Sequence, residues 1–259
     1  KCEGWYYSMS RQTTLCVDCR PGGSVTASRR CSSKTVDNSV FVKYDALFEA
    51  CETGDVTTVA TLVHGDCIPP NATVPLKRGQ HRPHAGKKPL HIAAEAGHVE
   101  VIRTLLVAKA DIDAPSEDTG WTPLHVASFS GQFAATRELL SKGADVEARG
   151  LQGSTALHCA QSVEVVRLLL RAKAHVDSKG HKKSTPLHMA VDRERPRVVQ
   201  ELIAARADIH AKDSKGRTPL QLAYRRNFKA CADLLEAADR TIVARIPSNE
   251  RRGSCLRDK

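Results

Sequence analysis

A four-residue phrase returns five times at a nearly fixed interval: Lys88-Pro-Leu-His91, Thr122-Pro-Leu-His125, Thr155-Ala-Leu-His158, Thr185-Pro-Leu-His188 and Thr218-Pro-Leu-Gln221. The steps between them are 34, 33, 30 and 33 residues. Recurrence at that interval marks one small unit copied along the chain. A unit of this length cannot bury its own apolar face, so the copies must stack into a solenoid.

Each place in the unit has a physical reason. Thr is a good N-cap and Pro belongs at the first helical position, where its missing N–H costs nothing, so Thr-Pro starts a helix. Ala93 and Ala94 let helices approach closely, and Gly97 and Gly131 can take the left-handed conformation that ends the first helix. A second apolar run follows, such as 101–106 or 165–170, with Leu-Leu pairs at 105–106, 139–140 and 169–170 forming its buried stripe. Aromatic residues are only 4% of the chain, so the core must come from Leu, Val, Ile and Ala, as suits helices.

With these motifs in register, residues 84–238 resemble the ankyrin repeat family. The resemblance implies an all-α solenoid of five stacked helix-turn-helix units with β-hairpin fingers. The stretch 45–63 reads as an earlier, degenerate unit, with Leu47, Ala50, Gly54 and Leu62 matching Leu90, Ala93, Gly97 and Leu105; its polar composition suits an N-terminal cap. Residues 64–83, with four prolines, form a basic loop between cap and first full unit. The third unit is three residues short after His158, which predicts a notch in the stack. Lys109, Lys173 and Arg206 stand where the second helix usually ends in Gly, and Pro196 lies just inside a helix start, where it is tolerated.

The net charge of +10 is carried by the flanks. Residues 1–44 hold seven basic and three acidic side chains, 64–89 five and one, and 239–259 six and three, so the repeat body is nearly neutral. Basic flanks of this kind read as solvated tails; binding of an anionic ligand, nucleic acid or a membrane surface, is the alternative they leave open. Nine cysteines, an odd count, do not complete a disulfide framework. Residues 2–31 resemble receptor-type cysteine-rich repeats, on Gly-Trp-Tyr-Tyr-Ser at 4–8 and the pair Cys16 and Cys19; that resemblance implies an oxidising compartment. One Cys-x-x-Cys step is too little for a structural zinc site, so no metal is expected. No apolar run approaches the roughly 18–20 residues of a membrane span.

Catalytic motifs are absent: there is no His-Glu-x-x-His, Gly-x-Ser-x-Gly or phosphate-cradling Gly-x-x-x-x-Gly-Lys, so no enzyme activity and no cofactor is expected. His91, His125, His158 and His188 recur once per unit, which marks them as framework residues rather than catalysts or ligands. Cys159 and Cys231 read as small core residues. The ankyrin resemblance implies a scaffold or adaptor of the cytoplasm, with the nucleus also open to it, that binds a partner protein in a concave groove of finger tips and first-helix faces. Carried over position by position, the groove holds Trp121, Phe129, Leu151, Lys182, Arg193, Lys215, Arg217, Arg225 and Arg226. Trp121 and Phe129 are an exposed aromatic pair of the kind that anchors an interface. The cations at units four and five suit an acidic or phosphorylated segment of that partner. A monomer is the default, since nothing in the stack demands self-association.

Overall fold

A computed structural model of the protein describes residues 4–7, 14–17, 38–65, 68–73 and 86–245. Helices come in antiparallel pairs. The pairs are α1 (Asn38–Thr53) with α2 (Val56–Ala60), α3 (Pro89–Ala96) with α4 (Val99–Val107), and α5 (Pro123–Phe129) with α6 (Phe133–Ser141). They continue as α7 (Ala156–Cys159) with α8 (Val163–Arg171), α9 (Pro186–Asp192) with α10 (Pro196–Ala204), and α11 (Pro219–Arg226) with α12 (Lys229–Arg245). First helices stack on first helices from α1 to α11, and second helices on second helices from α2 to α12. The periodic leucines and valines, among them Leu90, Leu105, Leu124, Leu139, Leu169, Leu187 and Leu202, are buried in one continuous core along that seam.

The degenerate unit follows the same plan. Asp55 caps α2 by accepting the backbone N–H groups of Thr57 and Thr58 at 3.0 and 3.1 Å, and α2 runs on through a π-type turn at Thr61–Gly65. Its first helix opens at Asn38, inside the stretch read as basic flank. In the loop that follows, Ile68 is buried and Asn71 Oδ1 accepts the Asp111 N–H at 2.9 Å, tying the insertion to the first finger.

The fingers are shorter than the hairpins the resemblance implied. In each, one backbone bond spans the base of the turn, Gly150 N–H to Ser154 O at 3.0 Å, Gly180 N–H to Ser184 O at 2.9 Å and Asp213 N–H to Arg217 O at 3.0 Å, and another closes it from inside, Gly153 N–H to Gly150 O at 2.8 Å, Lys183 N–H to Gly180 O at 3.0 Å and Gly216 N–H to Asp213 O at 3.0 Å. No β-ladder forms in the fingers among the described residues, because the turns leave no second rung. Their outward groups bond sideways instead, Leu151 N–H to Thr119 O and Ser214 N–H to Lys182 O, so adjacent fingers brace one another. The described strands are β1 (Gly4–Tyr7) and β2 (Thr14–Val17), an antiparallel pair with Trp5 opposite Cys16. Cys2, Cys19, Cys31 and the 246–259 tail lie outside the described residues.

The deletion in the third unit has the anticipated effect. Helix α7 has four residues and stops at Ala160, whose backbone turns extended at φ −57 and ψ 127. Second helices are tied across units on the opposite face by Arg103 to Glu138 at 2.9 Å and Arg167 to Glu201 at 2.5 Å.

Lys109, Lys173 and Arg206 do adopt the left-handed backbone, at φ 70, 66 and 64, where the second unit has Gly143. All three are exposed. Replacing each with Gly removes the steric cost of a Cβ there, so each substitution should add up to about 1 kcal/mol. The triple variant should therefore melt several degrees higher in a thermal scan followed by circular dichroism, and an unchanged or lower midpoint would show that the strain is already relieved.

Candidate protein-binding groove

The groove is held in place by the histidine of each unit. In His91, His125, His158 and His188 the Nδ1 atom accepts the backbone N–H three residues earlier, at 3.1–3.3 Å. That fixes the proton on Nε2, which donates to a carbonyl of the next finger: Trp121 O at 2.8 Å, Ser154 O at 2.8 Å, Ser184 O at 3.1 Å and Arg217 O at 3.0 Å. Thr hydroxyls at 122, 155 and 185 lie 2.9 Å from Nδ1, so they act with the ring as well as at the cap. Burial holds His91 and His158 down to about 4, and lowers His125 and His188 too, so all four are neutral at pH 7. They tie four successive fingers to the first helix of the preceding unit.

On this frame Trp121 lies at the finger base of the second unit, stacked on His125 with ring centroids 6.3 Å apart. Gly150 of the next finger abuts it; a Cβ there would come within 2.8 Å of the indole. Phe129, at the end of α5, meets Trp121 at 5.5 Å and a 54° tilt, and is 40% exposed. The two aromatics therefore form one anchor, with the indole half-buried against its neighbours and the phenyl ring open. Leu151 stands apart on the crest of the fingers, 74% exposed.

Arg193 has a part that the sequence did not disclose. From the end of α9 its guanidinium reaches back to the carbonyls of His158 and Cys159, at 2.8 and 3.3 Å, and lies 5.5 Å from the centre of the Phe129 ring. It fills the notch left by the short α7 and satisfies carbonyls that a longer helix would have bonded internally. Elsewhere the equivalent bracket comes from the second helix start: His98 Nε2 to Glu52 O at 2.8 Å, and Gln132 to Glu95 O at 3.0 Å.

Beyond Arg193 a cleft of about 310 Å³ runs from Trp121 and Ser154 past His158, Lys182 and Arg193 to Arg217 and Arg226. A second, open cleft of about 500 Å³ adjoins it, lined by Lys215, Arg217, Arg225 and Arg226. Arg217 and Arg226 border both. Not all of these charges are free: Arg217 is bonded twice to Asp213, at 2.6 and 2.8 Å, and Arg226 to Asp192 at 2.7 Å. Burial works against the Asp213 charge, yet the Arg217 side chain and the backbone N–H groups of Arg217 and Lys215 hold its carboxyl at about 2. These pairings were missed, although opposite charges one repeat apart, as at Asp192 and Arg226, are a signal that sequence alone carries.

Cys51, Cys159 and Cys231 are free and buried, and burial pushes the Cys51 and Cys159 thiols up to about 12, where they are poor nucleophiles. Among the described residues no cluster of His, Cys, Asp or Glu could hold a metal ion, and no helix is long and apolar enough to cross a membrane.

Stacked helix pairs with laterally braced fingers and a histidine recurring in four successive units define a helical-repeat solenoid. The pattern for ankyrin repeats (3 copies) matches residues 28–118, 47–150, 115–180 and 161–244. The chain belongs to the ankyrin repeat family, whose members are generally protein-interaction modules and typically non-catalytic. A search of curated proteins finds no match to the chain.

Proposed function

We propose that this protein is a non-catalytic scaffold or adaptor that binds one segment of a partner protein along the groove from Trp121 to Arg226. The observation that carries the reading is one cleft lined both by Trp121, whose indole packs on Phe129, and by the cations Lys182, Arg217 and Arg226. Exposed aromatic area on a rigid, concave surface is the usual centre of a binding hot spot. Trp121 and Phe129 supply the anchor, while Lys182, Lys215, Arg217, Arg225 and Arg226 favour an acidic stretch. Arg193 contributes mainly by keeping Phe129 and α7 in place, and Leu151 extends the contact onto the finger crest. Family membership and the free buried thiols favour the cytoplasm or nucleus, and the protein acts as a monomer in this reading.

Selecting segments from a random peptide display library against the full chain tests it. Isolated binders should lose at least about tenfold in affinity to the Trp121→Ala, Phe129→Ala variant at moderate salt, with the variant's helical circular dichroism retained. Equal affinity for both proteins would move the binding surface elsewhere.

A further inference from the structure

The open cleft at the end of the groove has an unusual charge balance. Its four lining side chains, Lys215, Arg217, Arg225 and Arg226, are all cationic. Asp213 and Asp192 neutralise Arg217 and Arg226, while Lys215 and Arg225 have no carboxylate partner among the described residues. Each paired guanidinium is oriented by its carboxylate, Arg217 through two bonds and Arg226 through one. Asp213 accepts the backbone N–H of Lys215 at 2.8 Å and of Arg217 at 2.9 Å, so the same carboxylate that orients the Arg217 side chain also shapes the turn carrying Lys215. Arg217 turns Nε and one terminal nitrogen to Asp213, and Arg226 directs one terminal nitrogen to Asp192, leaving the rest of each fork for a ligand.

From this geometry we infer that the cleft is a phosphate site: it seats the phosphomonoester of a phosphorylated side chain on the protein segment that the groove binds. The inference rests on the groove reading above and specifies its partner. Two uncompensated cations match the charge of about −1.5 to −2 on a phosphomonoester at pH 7, whereas a single Asp or Glu carboxylate would leave one cation unsatisfied. Oriented guanidinium forks suit tetrahedral phosphate oxygens better than they suit a lone point charge. Arg217 and Arg226 line both this cleft and the one leading to Trp121, so a peptide lying in the groove delivers its phosphate here without a detour. That continuity favours a protein segment over a lipid headgroup, which would approach from a flat membrane surface.

The test uses the full chain and three oriented peptide libraries, with phosphoserine or phosphothreonine, the unmodified residue, or Asp or Glu at the central position. Vesicles containing phosphoinositides form a separate arm. The phosphorylated library should be retained at least about tenfold over both others, and the Lys215→Glu, Arg225→Glu variant should abolish that preference. Both positions are exposed, so the variant should keep its fold. The Trp121→Ala, Phe129→Ala variant should instead weaken phosphorylated and unmodified peptides alike. Equal retention of all three libraries, or a preference that survives the charge reversal, overturns the phosphate site while leaving the groove reading intact. Retention of no peptide overturns both readings, and vesicle binding in that case reassigns the cleft to a membrane headgroup.

Discussion

Lowering the pH from 7 to 4 should remove on the order of 6 kcal/mol of stability through His91 and His158 alone. In the folded protein burial holds both imidazoles down to about 4. In the unfolded chain they titrate near the ordinary value of about 6.5. The folded pKa is the lower one, so the stability is fully present above about pH 6.5 and is lost as the pH falls towards 4, while the unfolded chain takes up protons that the folded one refuses. At roughly 1.4 kcal/mol per pKa unit each ring contributes about 3 kcal/mol, and His125 and His188 act in the same direction. Protonation of Nδ1 would also set one N–H against another, because that atom accepts a backbone N–H in all four histidines. Against a usual total of about 5–15 kcal/mol, such a loss unfolds much of the population by pH 4. Urea denaturation across this range measures it. A His91→Gln, His158→Gln variant should be weaker at pH 7 but distinctly flatter in its pH dependence. A wild-type slope that persists in the variant would place the titrating groups elsewhere.

Glutamine is a reasonable substitute because the chain already uses it. At the fifth unit Gln221 Oε1 accepts the Thr218 N–H at 3.1 Å, doing the local half of the histidine's work. The same logic explains how far the fold could be read beforehand. The period, the Thr-Pro helix starts, the left-handed positions at 109, 173 and 206 and the notch at the third unit all depend on residues close together in sequence, or on spacing that repeats. The lateral bonds of the fingers were not legible: Leu151 N–H to Thr119 O and Ser214 N–H to Lys182 O are contacts across units that a hairpin expectation within one unit does not contain.

The candidate site divides along the same line. Trp121 and Phe129 were legible as neighbours, since a fixed repeat plan places them on adjoining positions of one unit. The state of the cations was not. Whether an arginine is free depends on a partner a whole repeat away, as with Asp192 for Arg226, or across a turn, as with Asp213 for Arg217. Arg193 is the extreme case. The deletion was visible, but which side chain would enter the space it opened depends on the next unit's register and on the phenyl ring one unit before.

Arg193→Ala should accordingly destabilise the protein by about 3 kcal/mol, far more than a substitution at an exposed arginine such as Arg225, which should change stability by less than about 0.5 kcal/mol. The guanidinium makes two charge-assisted hydrogen bonds to α7 carbonyls and lies against Phe129. Removing it leaves those carbonyls without a partner beside a four-residue helix, the weakest link in the stack. Stability in a solenoid is nearly a sum of units and nearest-neighbour interfaces, so damage at the α7–α9 contact should divide the stack and not lower it uniformly. Denaturation of the variant should then show two transitions, or one with a reduced slope, where the wild type shows a single steep one. Arg193→Lys, which keeps a charged donor for the carbonyls but lacks the planar guanidinium that lies against Phe129, should fall between them. A variant that unfolds at the wild-type midpoint with the wild-type slope would show that the third unit is held by its apolar contacts alone and that the arginine is free for a partner.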